Sequence, residues 1–190
     1  CEDFLAEDCM FVNTKGSSPE AGRDFEPNYP WERLVDCTLR NCEFRNNAGT
    51  GLHVSPHQLR DSSAPVSIRI RDCRIVDSGY CGFEVMRNGT GRPPKAECLV
   101  ENLLVSGTTH HGIVFARKFA DMFRVTLRNV TVERSGLENP ECADIHALSR
   151  FWFDNPPGNI VFDNVMCPSS WQNKAGKKPE ELTAEDRARA

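Results

Sequence analysis

The residues most able to do chemistry in this chain are histidines and a carboxylate at matched places in short apolar segments. Five histidines occur, at positions 53, 57, 110, 111 and 146. Two of them fall in a recurring pattern: Gly51-Leu52-His53-Val54, Gly82-Phe83-Glu84-Val85, Gly112-Ile113-Val114-Phe115 and Asp144-Ile145-His146-Ala147. In an extended strand the second and fourth residues share one face, so His53, Glu84, Val114 and His146 point to the other. On neighbouring rungs His53 and Glu84 would lie about 4.8 Å apart, close enough to act as general acid and base. His146 would stand three rungs from His53, roughly 14 Å away. These three are the acid–base candidates.

The flanking segments add more polar groups. His57 and Arg60, Arg87, Arg117 and Lys118, and Arg150 follow the strands, whereas Tyr80, His110, His111 and Asp144 precede or enter them. All five histidines therefore map to one side. Arg117 or Lys118 suits charge neutralisation or proton abstraction. Plainer readings stand beside these: a surface His–Glu contact, a turn that tolerates His110-His111, a solvated Arg117-Lys118 loop, and Tyr80 covering a coil edge.

The elements that position these residues come from a longer repeat. Ala6-Glu7-Asp8-Cys9-Met10-Phe11, Leu39-Arg40-Asn41-Cys42-Glu43-Phe44, Ile70-Arg71-Asp72-Cys73-Arg74-Ile75, Val100-Glu101-Asn102-Leu103-Leu104-Val105, Leu127-Arg128-Asn129-Val130-Thr131-Val132 and Phe162-Asp163-Asn164-Val165-Met166-Cys167 align without gaps at offsets of 33, 31, 30, 27 and 35 residues. Such a period means stacked units. The third position is always Asn or Asp, and the apolar alternation slips by one residue there. A tight bend at a residue that tolerates left-handed torsions resolves the slip. Each coil then has one strand before the bend, one after it, and the His/Glu-bearing segment as a third. Stacking also predicts a column of reduced, inward Cys9, Cys42 and Cys73, with Cys37 and Cys98 inward beside them. On the outside it predicts a solvated column of alternating charge at Arg71, Glu101, Arg128 and Asp163.

Composition narrows the function classes. At 190 residues the chain is long enough for a real core, and 27 acidic against 23 basic residues leave a net charge of −4. With no long basic run, phosphate-neutralising nucleic-acid binding is a poor fit. No run of eighteen apolar residues exists to span a membrane. The nine cysteines include no C-x-x-C pair and match no zinc spacing. His53, Glu84 and Asp144 carry metal-binding atoms, but no calcium-binding nonapeptide appears; no metal is assigned and the cofactor is left unknown. The chain begins at Cys1 without a signal segment, which neither supports nor refutes secretion.

Three short strands per coil, an Asn bend and variable loops resemble the pectate-lyase-like superfamily of right-handed parallel β-helices, over roughly residues 1–170. The resemblance implies an all-β solenoid of about five to six coils, with a loop insertion at 12–35. Residues 171–190 form a polar tail in which Thr183-Ala-Glu-Asp186 suits a short helix. Residues 1–11 start inside a coil without a cap, so further coils of the same parent chain are expected partners. The resemblance also implies a substrate groove along the third-strand sheet and a polysaccharide or glycan partner. His53, Glu84 and His146 would be catalytic there, and Tyr80, His57, His110, His111, Arg117, Lys118 and Asp144 would bind substrate. A lyase, hydrolase or epimerase follows, with a secreted, periplasmic or cell-surface address. The Asn-Thr-Asp, Gly-His-Gly and Arg-Ile-Lys segments of polygalacturonases are absent, as is the Arg-x-Pro-x-x-Arg run of pectate lyases. Ser55-Pro56-His57 lacks the acid of the epimerase Asp-Pro-His segment. These absences support a second reading: a non-catalytic glycan-binding, adhesive or structural module.

Overall fold

Alternating apolar residues with a bend between them build a parallel β-solenoid, seen in a computed structural model that describes residues 2–15, 35–54, 65–86, 96–116, 123–138, 142–147, 160–167 and 171–173. No helix occurs among the described residues, and no described helix is long and apolar enough to cross a membrane. The loop expected within 12–35 falls largely outside them, and the expected tail helix wholly so.

The first ladder runs through β1 (Leu5–Glu7), β3 (Cys37–Arg40), β6 (Val66–Arg71), β9 (Ala96–Ser106), β11 (Phe123–Glu133) and β13 (Ile160–Met166). After the bend, β2 (Met10–Val12), β4 (Glu43–Arg45) and β7 (Arg74–Val76) stack in turn and join the far half of β9. The third ladder is β5 (Leu52–Val54), β8 (Phe83–Met86), β10 (Ile113–Ala116), β12 (Ile145–Ala147) and β14 (Trp171–Asn173). Every pairing is parallel and in register.

The bend lies at the expected Asn/Asp column. Asp8, Asn41, Asp72, Asn102, Asn129 and Asn164 all take φ between 51° and 56°. Their side chains form a directional ladder: Asn41 donates to Asp8 (2.6 Å), Asn102 to Asp72 (2.7 Å), Asn129 to Asn102 (3.1 Å) and Asn164 to Asn129 (2.8 Å). Two features differ from expectation. The first two strands of the later coils are not separate: β9, β11 and β13 run through Asn102, Asn129 and Asn164, with pairing resuming one residue later. A single left-handed residue inverts the alternation without ending the strand, as a bulge does. A second left-handed column also stands five residues on, at Asn13, Asn46, Asp77, Gly107 and Arg134. It turns the chain out of the second strand towards the third.

The core fills the enclosed space with columns of like residues. Phe44, Ile75, Val105 and Val132 are fully buried in one, and Leu52, Phe83, Ile113 and Ile145 in another. Each such side chain contributes about 1.5–3 kcal/mol. Cys37, Cys42, Cys73 and Cys98 are buried and reduced, as expected. Burial pushes the Cys73 thiol up to about 11 and that of Cys98 to about 12. Outside, Arg71 pairs with Glu101, and Arg128 bridges Glu101 and Asp163, each at 2.9 Å. These exposed pairs are worth little in stability but set charge register between coils.

Candidate functional site

The third ladder is held close to the second by glycine. A Cβ on Gly82 would lie 2.3 Å from Val105 Cγ1 and 2.7 Å from the Gly112 carbonyl, and one on Gly112 would lie 2.2 Å from Val132 Cγ1. Without side chains at this column, the turn from the second strand closes tightly. The next residues, Leu52, Phe83, Ile113 and Ile145, drop into the core, and the ones after them turn outward.

Register sets His53 against Glu84, Glu84 against Val114, and Val114 against His146. The first pair is joined: His53 Nδ1 lies 2.9 Å from Glu84 Oε2. With Nδ1 occupied by the carboxylate, the ring is fixed and Nε2 becomes its other exchange position. The pair is not the solvent-facing contact that alternation alone suggests. His53 is 2 % exposed, Glu84 8 % and His146 9 %. The outward side of this sheet carries its own small apolar cluster, in which Val114 packs with Cys81 and Tyr80.

Cys81 is the group that sequence reasoning missed. It precedes Glu84 by three residues on the same outward side. Burial, and then the Glu84 charge, raise its thiol far above the ordinary range. Its signal was its alignment with Thr50, His111 and Ala143 at the entrance to the third strand.

A second cluster lies one and two rungs away. The His111 and His146 rings stack with centroids 4.0 Å apart and 13° between planes. The Ala143 N–H donates to His111 Nδ1 at 2.9 Å, which leaves that nitrogen unprotonated and the ring proton on Nε2. Burial, and then the neighbouring His146, lower the His111 pKa to about 4. Beside them, Tyr80 and His110 form a tilted pair with centroids 4.5 Å apart, and Thr109 Oγ1 lies 3.0 Å from His110 Nδ1.

The fold thus brings together His53 with Glu84, His111 with His146, and Tyr80 with His110. It does not join His146 to the His53–Glu84 pair, because the Val114 rung intervenes. Asp144 is also placed differently from the expected groove position. It occupies the column of Gly51, Gly82 and Gly112 and is fully buried. Burial, and then the Asp144 charge, raise the Cys167 thiol nearby. His57, Arg60, Arg87, Arg117, Lys118 and Arg150 lie outside the described residues. Among the described residues no group of three or more His, Cys, Asp or Glu side chains is arranged to hold a metal ion.

Fold and site define a parallel β-solenoid with a buried His–Glu pair on the outward side of its third sheet. No protein-family profile, curated protein or solved structure matches the chain.

Proposed function

We propose that this protein is a carbohydrate-active β-solenoid of the lyase or epimerase type, with Glu84 and His53 as its proton-transfer pair. The observation that carries the reading is the 2.9 Å contact between His53 Nδ1 and Glu84 Oε2, held across two rungs of one rigid sheet. Glu84 is the more accessible member, with 11 % of its side chain exposed against 2 % for His53. It therefore meets the substrate, and His53 orients it and shares its proton. Hydrolysis by paired carboxylates needs a second acid across the scissile bond. Asp144 does not supply one, because its side chain is buried at the glycine column. A single acid–base pair suits removal of a proton beside a sugar carboxylate, followed by elimination or re-protonation. Tyr80 and His110, both partly exposed, offer aromatic faces on which a sugar ring can stack.

A second reading has one observation in its favour. The burial of His53 and Glu84 beside the Val114–Cys81 cluster equally suits a structural pair inside a non-catalytic glycan-binding or adhesive module.

A panel of alginate, pectate, neutral and sulfated glycans, assayed for unsaturated sugars and new reducing ends, separates the two. Turnover that falls at least about 100-fold in Glu84→Gln, with folding unchanged, supports the acid–base assignment. Turnover that survives Glu84→Gln refutes the site. No turnover on any glycan by the folded chain favours the binding module.

A further inference from the structure

The two ring nitrogens of His111 are committed differently. The Ala143 N–H donates to Nδ1 at 2.9 Å, and a backbone amide can only donate. Nδ1 therefore turns its lone pair to Ala143, and the neutral ring carries its proton on Nε2. One face of the ring lies on His146, with centroids 4.0 Å apart and 13° between planes. A ring flip would forfeit the Ala143 bond, so the orientation is held on two sides. The residue is half-buried, and Nε2 is not one of the enclosed polar atoms. Among the described residues nothing accepts a hydrogen bond from it. A donor fixed on two sides and open on the third is arranged to meet a ligand.

We infer that His111 is a donor-only binding residue whose Nε2–H holds an oxygen of the glycan two rungs along the ladder from Glu84, on the reading of Glu84 as the proton-transfer group. Register places His146 two rungs beyond Glu84, with Val114 between them. At about 4.8 Å per rung, the His111–His146 stack stands roughly 10 Å from Glu84 along the solenoid axis. That separation addresses a neighbouring sugar, not the reacting one. The rung between them is apolar, because Val114 packs with Tyr80 and Cys81. The ligand group is an oxygen acceptor, either a sugar hydroxyl or a sugar carboxylate.

Donor-only character follows from the tautomer. While the Ala143 bond stands, neither nitrogen offers a lone pair, so the ring serves neither as a base nor as a metal ligand. Burial, and then His146 and His110, the titratable groups whose charge bears on the ring, keep it neutral down to about pH 4. The donor is thus constant across the range in which an ordinary histidine titrates. A neutral donor holds a hydroxyl and a carboxylate alike, and proton binding tells them apart. A carboxylate favours the charged ring and raises its pKa from about 4, whereas a hydroxyl leaves it in place.

The test uses the whole chain with isotope-labelled histidine, its ring nitrogens read by proton–nitrogen correlation spectroscopy. Without glycan, His111 should show the Nε2–H tautomer from about pH 7 to about pH 5. An Nδ1–H tautomer, or a charged ring at about pH 6, overturns the inference at once. Oligosaccharides of alginate, pectate, a neutral and a sulfated glycan are then added, with the carboxyl-reduced forms of the first two. One that shifts the His53 ring should also shift the His111 Nε2–H and slow its exchange with water. A shift of His53 alone overturns the donor and spares Glu84. A shift of His111 alone supports the donor and counts against Glu84, and a panel that moves neither overturns both. A rise in the His111 pKa that is lost on carboxyl reduction marks a carboxylate, and an unchanged pKa marks a hydroxyl. For a glycan that is turned over, His111→Leu should raise KM about fivefold to tenfold with kcat nearly unchanged, and His111→Asn should recover part of it. Equal KM in all three proteins overturns the inference, and the tautomer, read on the wild type, stands whether or not the variants fold.

Discussion

Lowering the pH should weaken this fold through one residue, His111. The ring stacks on His146 and accepts the Ala143 N–H at Nδ1. Protonation at Nδ1 would set two donors against each other and place a cation in a largely desolvated position. The folded pKa is accordingly depressed from 6.5 to about 4. The sign follows from proton counting: between these values the unfolded chain binds the proton and the folded chain does not. Stability is therefore full above about pH 6.5, falls as the pH drops towards about 4, and levels off below. At about 1.4 kcal/mol per pH unit the depression corresponds to about 3 kcal/mol. Solvent screening of this partly exposed ring reduces that to about 2 kcal/mol. The assay is urea unfolding followed by tryptophan fluorescence at about pH 7, 6, 5 and 4, on the wild type and on His111→Asn. Asparagine keeps an acceptor near Ala143 but does not titrate. Subtracting the two curves isolates His111 from the carboxylates, and the difference should shrink by about 2 kcal/mol from pH 7 to 4. Parallel curves for the two proteins would refute the assignment.

Other consequences can be read from the same columns. Asp72 accepts from Asn102 but, ionised, has no proton to donate to Asn41, so the side-chain ladder is interrupted at that rung. Asp72→Asn should complete it and raise stability by about 0.5–1 kcal/mol, read as a higher urea midpoint with an unchanged slope. Arg134 adopts φ 53° in a column otherwise filled by Asn, Asp and Gly. Arg134→Asn should gain about 0.5–1 kcal/mol in the same measurement. Gly82→Ala should lose about 2 kcal/mol or more, because its methyl meets Val105 Cγ1 at 2.3 Å and the Gly112 carbonyl at 2.7 Å. Ordinary unfolding of that variant at the wild-type midpoint would show that the third ladder can move outward to make room.

The charge columns bear on how coils choose neighbours. Arg40 meets Glu7, Arg71 meets Glu101, and Arg128 meets Glu101 and Asp163. Each pair is weak in water, but a slip by one residue would replace the column with the Asn/Asp ladder beside it. The two columns together thus favour a single register.

The fold class was legible in the sequence because a solenoid repeats its environment. The same strand position meets the same neighbours in every coil, so Cys9, Cys42 and Cys73, or Asn41, Asn102 and Asn129, show their places by recurrence alone. The left-handed bend was legible for the same reason: one inverted alternation recurs six times. The second bend column was present too, five residues on, but Arg134 breaks its pattern of Asn, Asp and Gly. Only the tertiary structure decided the state of the site. Alternation tells which way His53, Glu84 and His146 point relative to their own strand, not what lies over them. The turn residues before the third strand fold over this side of the sheet: Cys81 and Tyr80 pack with Val114, and His111 crosses one rung to stack on His146. Asp144 shows the same limit. Its type suited a groove, but its column is the glycine column, where the close approach of the second strand directs any side chain inward. Residue type and period determine the coil; lateral contacts between rungs, which no linear pattern records, determine which of its polar groups meet.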